Sequence, residues 1–199
     1  MLPYHKYKHI LISFWWKPKK IKGETRIKKG KINPKYFEQL TLGPEFKPFD
    51  AFYFSCGPSW YNFSKYNMWD SQSKGTEVYQ ILINDDRFIK LNTVARIEKF
   101  MKEYQVKEFN DIYLIDWAKV AEKYAGFIAC PFVKKQLQEK YDKKNLNKIV
   151  WYLMLDCSSG CIWSMDGIKK CKKIGVFKDE DNTEEELRMM LDSVNQKSN

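Results

Sequence analysis

Two short segments of this sequence combine residue types that can bind a flat, polar ligand. The first, FDAFYFSCGPSW at positions 49–60, is an apolar run that leads to Ser55, a Gly-Pro turn and then Ser59. Glycine permits close backbone approach, so a neighbouring hydroxyl can touch a ligand, and the rings of Tyr53 and Trp60 can stack on a planar group. An ordinary turn at a sheet edge, with aromatic residues in the core, would give the same pattern. Both interpretations stay open.

The second segment, LDCSSGCIW at positions 155–163, places a carboxylate at the end of an apolar run. Asp156 is followed by a Ser-Ser-Gly turn that contains Ser159, and then by Trp163. A carboxylate in this place can stabilise positive charge that develops on a ligand. The alternative is that Asp156 and the serines only cap the turn through hydrogen bonds to the backbone. We expect this segment to lie against positions 53–60 and to form one pocket with them.

Motifs of the common catalytic sites are missing from the sequence. It contains no GxxxxGK[ST] phosphate loop, no GxGxxG turn, no HExxH zinc motif and no GxSxG nucleophile turn. The two histidines, His5 and His9, both lie near the N-terminus, which argues against a Ser-His-Asp or Cys-His site. The five cysteines include no CxxC pair, so we expect reduced thiols and no bound metal.

The net charge of +10 favours an anionic partner, either nucleic acid or a nucleotide. The basic stretch at positions 17–35 contains Lys19, Lys20, Lys28 and Lys29, which are candidate contacts for nucleic acid. Glycine and proline interrupt this stretch, so it is predicted to be a hairpin or loop. A solvated loop would have the same composition. Because only four of the 35 basic residues are arginine, the excess of lysine can also reflect an AT-rich genome.

Strands and a few helices must position these residues. Apolar alternation or buried apolar runs predict strands at positions 4–16, 51–55, 77–83, 87–91, 127–130, 150–155, 161–164 and 173–177. Helical periodicity predicts helices at positions 94–104 and 117–124. Strands outnumber helices without regular alternation, so we predict an α+β fold with mixed or antiparallel sheets, formed by residues 1–199 as a single domain.

Helix ends are marked by specific residue types. Thr93 and Asp116 are predicted N-caps of the two helices. A capping box of Thr183 with Glu186 predicts the start of a C-terminal helix, and positions 195–199 are expected to be frayed.

Membrane and secretory signals are missing from the hydropathy pattern. No stretch approaches the roughly 20 apolar residues that span a bilayer, and the N-terminus lacks the apolar run of a signal peptide. We therefore expect an intracellular protein without a membrane partner.

Three segments together resemble a family of small uncharacterised proteins from phages, large viruses and bacteria. The pattern of that family runs KP-x-GLW-x-S, then DW-x-x-VA-x-x-YDGI, then WD-x-x-SGCIW. The match spans roughly residues 46–165, and SGCIW is its most specific part. The matching residues are Lys47-Pro48, Tyr53, Ser55, Trp60, Asp116-Trp117, Val120-Ala121, Tyr124, Gly126, Asp156 and Ser159 to Trp163.

That family is in turn similar to the ADP-ribosyltransferase fold. In those enzymes an aromatic strand with a Ser or Tyr contacts the nicotinamide end of NAD, and the YFS strand at positions 53–55 is similar to it. The resemblance implies that His5 or His9 occupies the first motif and that Asp156 or Glu77 is the catalytic carboxylate. The other residues that it implies as NAD contacts are Tyr53, Ser55, Ser59, Trp60, Ser159 and Trp163.

Three functions remain open at this point. The first is an ADP-ribosyltransferase-like domain that acts on NAD and modifies a nucleic acid or a protein. The second is a non-catalytic protein that binds nucleic acid through the basic stretch and exposed aromatic rings. The third is a viral structural or host-interaction protein that keeps an enzyme fold without its site. Whether Ser55, Trp60, Asp156 and Trp163 line one cleft discriminates between them.

Overall fold

The computed structural model of the chain describes residues 1–15, 27–28, 31–32, 42–48, 51–67, 74–107, 111, 113–141 and 145–196. The candidate nucleic-acid contacts Lys19, Lys20 and Lys29 lie outside these residues, and Lys28 is described in its backbone alone. Statements below about what the fold contains refer to the described residues.

Twelve strands are found in the part of the chain that the structure describes. In chain order they are β1 Leu11–Trp15, β2 Ile27–Lys28, β3 Lys31–Ile32, β4 Pro44–Glu45, β5 Phe52–Cys56, β6 Glu77–Ile83, β7 Phe88–Lys90, β8 Gln105–Lys107, β9 Tyr113–Asp116, β10 Gly126–Ala129, β11 Ser159–Ile162 and β12 Ile168–Val176. The helices are α1 Tyr4–Tyr7, α2 Ser59–Tyr66, α3 Val94–Tyr104, α4 Trp117–Ala121, α5 Lys134–Lys140, α6 Val150–Leu153 and α7 Thr183–Gln196.

Seven of these strands form the main sheet, in the order β12-β6-β1-β5-β11-β10-β7. Every neighbouring pair is antiparallel except β7 and β10, which are parallel. A second sheet has the order β4-β9-β8, and β2 pairs with β3 in antiparallel orientation. The predicted α+β fold with mixed and antiparallel sheets is confirmed.

One face of the main sheet is covered by helices in two separate halves. On the half formed by β10 and β11, the buried rings of Trp117, Phe127, Trp151 and Trp163 pack against Phe100 of α3. The Trp117 ring centroid lies 5.4–6.2 Å from the other four centroids. We call this set of residues the tryptophan cluster.

The other half of the same face, formed by β1 and β6, is covered by α7. Leu187 and Leu191 of α7 pack on Ile12 and Val78, together with Tyr61 of α2. We call this set the α7 cluster. Since side chains alternate along a strand, Leu11, Phe52 and Phe54 point to the opposite face and form a third buried set there.

The helix caps follow the sequence in two cases out of three. The Thr93 hydroxyl accepts a hydrogen bond from the Arg96 backbone N–H at 3.3 Å, and the Asp116 carboxylate accepts one from the Lys119 N–H at 3.1 Å. Both predicted N-caps are confirmed. The C-terminal helix starts at Thr183 as predicted, but the predicted capping box is wrong. The Glu186 carboxylate accepts from the Lys178 N–H, and the Thr183 hydroxyl bonds the Tyr61 hydroxyl at 3.0 Å. Helix α7 also continues to Gln196, so the predicted fraying from position 195 begins too early.

The prediction of a strand at positions 150–155 is wrong. A 3₁₀ turn at Leu146–Lys148 and helix α6 occupy this part of the chain, and Trp151 and Tyr152 are both fully buried. A short continuous apolar run fits a buried strand and a buried helix equally well, which explains the error. The predicted strand at 4–16 is also shorter than expected, since α1 precedes β1.

The expectation that all five cysteines are reduced is wrong for one pair. The structure joins Cys56, at the end of β5, to Cys130, which follows β10, with 6.4 Å between their Cα atoms. The two cysteines are 74 residues apart in the sequence, so their spacing does not indicate that they are close in space. Cys157, Cys161 and Cys171 are free thiols. In the described part of the chain, no helix is both long enough and apolar enough to cross a membrane.

Candidate functional site

The candidate site lies where two strands of the main sheet separate. Over the described residues, the ladder between β1 and β5 contains two pairs, Leu11 with Cys56 and Ile12 with Ser55. By contrast, β1 stays paired with β6 as far as Trp15. The gap between β1 and β5 that opens beyond Ile12 lies at the boundary between the tryptophan cluster and the α7 cluster.

A cavity of about 390 Å³ occupies this gap. This volume falls in the range of small-molecule sites. The residues that line the cavity are Ile12, Ser13, Phe14, Lys47, Phe52, Tyr53, Phe54, Ser55, Trp60, Leu155, Asp156 and Ser159. The expected meeting of the two sequence segments in one pocket is therefore confirmed.

Hydrogen bonds between the two turns hold these segments together. The Cys56 N–H donates to the Ser158 carbonyl oxygen at 3.0 Å, and the Ser59 hydroxyl donates to the same oxygen. The Ser158 hydroxyl in turn accepts a hydrogen bond from the Phe132 N–H at 3.0 Å. Ser59 therefore fixes the wall of the cavity and does not line it, so its predicted role as a direct ligand contact is not supported by its position.

Asp156 occupies a backbone conformation that is unusual for a residue with a side chain. Its φ is +67°, in the left-handed region where glycine, asparagine and aspartate are tolerated best. No backbone N–H of the described residues donates to its carboxylate, whereas the Ser159 hydroxyl donates to the Cys157 carbonyl oxygen at 3.1 Å. Ser159 therefore has a turn-capping bond, and the half-buried Asp156 carboxylate stands at the cavity without such a bond.

Aromatic rings on β5 and α2 line the same cavity as Asp156. Tyr53 and Trp60 are both half-buried and both line the cavity. The Trp60 ring packs against Phe63 with 5.5 Å between centroids, which fixes its orientation. Two partly accessible rings at a cavity offer stacking surfaces to a planar ligand.

Lys47 is a lining residue that the sequence reasoning did not assign to the site. Its ammonium group lies 5.9 Å from the Tyr53 ring centroid and donates to the Met154 carbonyl oxygen at 3.3 Å. The half-buried ammonium therefore supplies positive charge to a cavity that also contains Asp156. The Lys47-Pro48 pair was visible in the family pattern, but nothing in the sequence placed it near Asp156.

The hydroxyls of the cavity present acceptor lone pairs, because their protons already point to the backbone. Ser55 donates to the Gly57 carbonyl oxygen at 3.0 Å, and Ser13 donates to the Tyr53 carbonyl oxygen at 3.0 Å. A hydroxyl that donates in this way keeps the capacity to accept. A ligand that offers N–H donors would match Ser55 and Ser159.

Three predicted site residues lie away from the cavity. Trp163 is buried in the tryptophan cluster, and its indole N–H donates to the Tyr124 carbonyl oxygen at 2.7 Å. Glu77 lies on β6, where its carboxylate accepts from the Lys173 ammonium at 2.6 Å. His5 lies on α1, and its ring contacts the Tyr4 ring at 5.7 Å between centroids. None of the three lines the cavity.

Cysteine chemistry is unfavourable near this cavity. Burial, together with the negative charge of the adjacent Asp156 carboxylate, raises the pKa of the Cys157 thiol to about 12. The thiol therefore stays protonated at neutral pH and is a poor nucleophile. Within the described residues, no group of three His, Cys, Asp or Glu side chains could hold a metal ion.

Comparison of the chain with models of protein families, with curated proteins and with solved structures gave no match.

Proposed function

We propose that the chain is an ADP-ribosyltransferase-like domain that binds NAD in the cavity between β1 and β5. The observation that carries this proposal is that one cavity is lined by a carboxylate, an ammonium group and two partly accessible aromatic rings, those of Asp156, Lys47, Tyr53 and Trp60. These are the groups that a ligand with a cationic ring and a pyrophosphate requires. The resemblance of the three sequence segments to the family with an ADP-ribosyltransferase-like pattern points to the same ligand.

The nicotinamide and the pyrophosphate of NAD each have a partner in this arrangement. The nicotinamide ring stacks on Tyr53 or Trp60, and its carboxamide N–H groups donate to Ser55 or Ser159. The pyrophosphate is attracted to the Lys47 ammonium. Because the hydroxyls have their protons on backbone carbonyl oxygens, they favour a ligand that donates at this end of the cavity.

The chemical step is cleavage of the bond between C1′ of the nicotinamide ribose and the ring nitrogen. The electron pair leaves with nicotinamide, and positive charge builds up on the ribose. A water molecule, or a nucleophile of a target, then attacks C1′ and loses a proton. The Asp156 carboxylate stabilises the positive ribose in the transition state. Glu77 and His5 have no part in this step because they lie outside the cavity.

Release of nicotinamide from NAD tests the proposal. Asp156→Asn keeps the shape of the side chain and removes its charge, so we expect turnover to fall at least tenfold, about 1.4 kcal/mol of transition-state stabilisation. The matched control is Asp86→Asn, at an exposed position outside the cavity, which should leave turnover unchanged. A wild-type protein that releases no nicotinamide, with or without candidate targets, would contradict the proposed reaction.

Binding is tested separately from catalysis. Lys47→Gln removes the ammonium group from the cavity, and we expect the Kd for NAD to rise about tenfold. Lys102→Gln on the exposed side of α3 is the control and should bind NAD normally. Calorimetry measures both. An unchanged Kd in Lys47→Gln would mean that the pyrophosphate does not bind next to Lys47.

A further inference from the structure

The edge strand of the main sheet carries a dense row of lysines that the sequence analysis did not use. Strand β12 ends the sheet and contains Lys169, Lys170, Lys172 and Lys173. Lysine on an edge strand protects against aggregation through strand pairing, and that role alone would explain single lysines. Four lysines within five consecutive positions, next to a groove, are more than this role requires.

The groove runs between β12 and α7 and has a volume of about 310 Å³. Lys170, Lys172 and Lys173 line it together with two uncharged polar residues, Gln80 and Ser193. No carboxylate-bearing residue is found among its described lining residues. The groove therefore attracts anions and repels cations.

Two of the lining lysines have no acidic partner among the described residues. Lys173 donates to Glu77 at 2.6 Å, whereas Lys170 and Lys172 are exposed and form no ion pair there. Strand pairing places Lys170 opposite Leu82 and Lys172 opposite Gln80, so the two ammonium groups emerge on the same face of the sheet.

Apolar side chains line the same groove as these charges. Leu82 is 44% exposed and lines the groove, as does Met190 of α7. A methionine thioether and an aliphatic surface contact aromatic rings favourably. The groove thus combines cationic groups with apolar surfaces on which a flat ring can lie.

One described part of the basic stretch contacts the strand that forms one side of this groove. The backbone of β3, at Lys31–Ile32, is in contact with β12. Lys31–Ile32 and the lysines of β12, which are far apart in sequence, thus lie on strands that contact each other.

From these observations we infer that the groove between β12 and α7 binds single-stranded nucleic acid. Phosphates contact Lys170 and Lys172, Gln80 and Ser193 supply neutral polar contacts, and bases lie on Leu82 and Met190. An acidic peptide would use the same lysines but would gain little from the apolar floor. This surface is separate from the NAD cavity, and it does not depend on NAD chemistry.

The test is a comparison of two doubly substituted proteins with the same change in charge. Lys170→Gln/Lys172→Gln removes the two lysines of the groove, and Lys99→Gln/Lys102→Gln removes two exposed lysines on α3 that also form no ion pair with described residues. Fluorescence anisotropy with a labelled oligothymidylate of about 20 nucleotides measures binding. Circular dichroism on heating checks that both proteins remain folded.

We expect the groove variant to lose about tenfold in affinity and the α3 variant less than about twofold. The slope of log K against log salt should also decrease by about 1.4 in the groove variant, because two phosphate contacts on a single strand are lost. Equal losses in both variants, or no binding by the wild-type protein, would overturn the inference. Tighter binding of a labelled polyglutamate than of the oligonucleotide would also overturn it.

Discussion

At the scale of single residues, Asp156 is the residue whose conformation and chemistry are most informative. Glycine would fit its φ of +67° at lower cost to the backbone, yet the position holds a carboxylate. The carboxylate accepts no capping bond from any described N–H, so local folding does not require it. This combination favours a functional use of its charge, in agreement with the proposed role at the cavity.

The backbone conformation of Asp156 gives a prediction about stability. Asp156→Asn should leave the free energy of unfolding nearly unchanged, because asparagine tolerates the left-handed region as well as aspartate does. Asp156→Ala should lower it by about 1 kcal/mol, because alanine adopts this region less readily. Urea denaturation measures both, with Asp86→Ala as the control. A larger loss in Asp156→Asn than in Asp156→Ala would mean that the carboxylate itself stabilises the fold.

At the scale of elements, the sequence predicts helices and strands correctly where capping residues and apolar periodicity agree. It fails for a short element that is buried on several sides. Helix α3 combines a Thr93 cap with one apolar face, and both are found. Strands β5, β6 and β10 lie where alternation or apolar runs placed them. Helix α6 was predicted as a strand, because a four-residue helix that is buried on several sides has no visible period.

The candidate site was predicted only in part, because some of its residues are identified by local patterns and others only by the tertiary fold. The segments that contain Ser55 and Asp156 were identified from their turn chemistry, and strand pairing brings them together. Lys47 reaches the cavity through tertiary packing of the residues that follow β4, and Glu77 is excluded from the cavity by the position of β6 in the strand order. Neither is encoded in local spacing.

The link between β5 and β10 gives a prediction at the same scale. The disulfide of Cys56 with Cys130 closes a loop of 74 residues, and a loop of this length is expected to contribute about 4 kcal/mol to the free energy of unfolding. Urea denaturation with and without a reductant should show a loss of that order. Cys171→Ser, at a free thiol, is the control and should leave the difference intact.

A count of thiols in the denatured protein provides an independent check of this link. If the disulfide is present, denatured protein without reductant reacts at the three cysteines that are free in the structure. Five reactive thiols, together with no effect of reductant on stability, would restore the original expectation that every cysteine is reduced.

At the scale of the whole molecule, the arrangement of the two buried clusters explains why a cavity exists. The tryptophan cluster and the α7 cluster cover neighbouring halves of one sheet face. The boundary between them follows β5, where β1 separates from its neighbour. Each cluster is packed within itself, so the boundary is the place where a ligand can enter without opening a core. The β12–α7 groove lies at the sheet edge, on the far side of β1 and β6 from β5.

This arrangement predicts two distinct footprints in amide hydrogen exchange. If NAD binds in the cavity as proposed, it contacts both sides of the boundary and should slow exchange in the turns at positions 56–60 and 155–159 but leave β12 unaffected. Oligothymidylate should slow exchange in α7, which forms one side of the groove, and leave both turns unaffected. Mass spectrometry of peptic fragments resolves these regions, and β8 with β9 serves as an internal reference that neither ligand contacts. Protection by NAD that is confined to the β12–α7 groove would mean that the lysines bind its phosphates and that the cavity between β1 and β5 has another ligand.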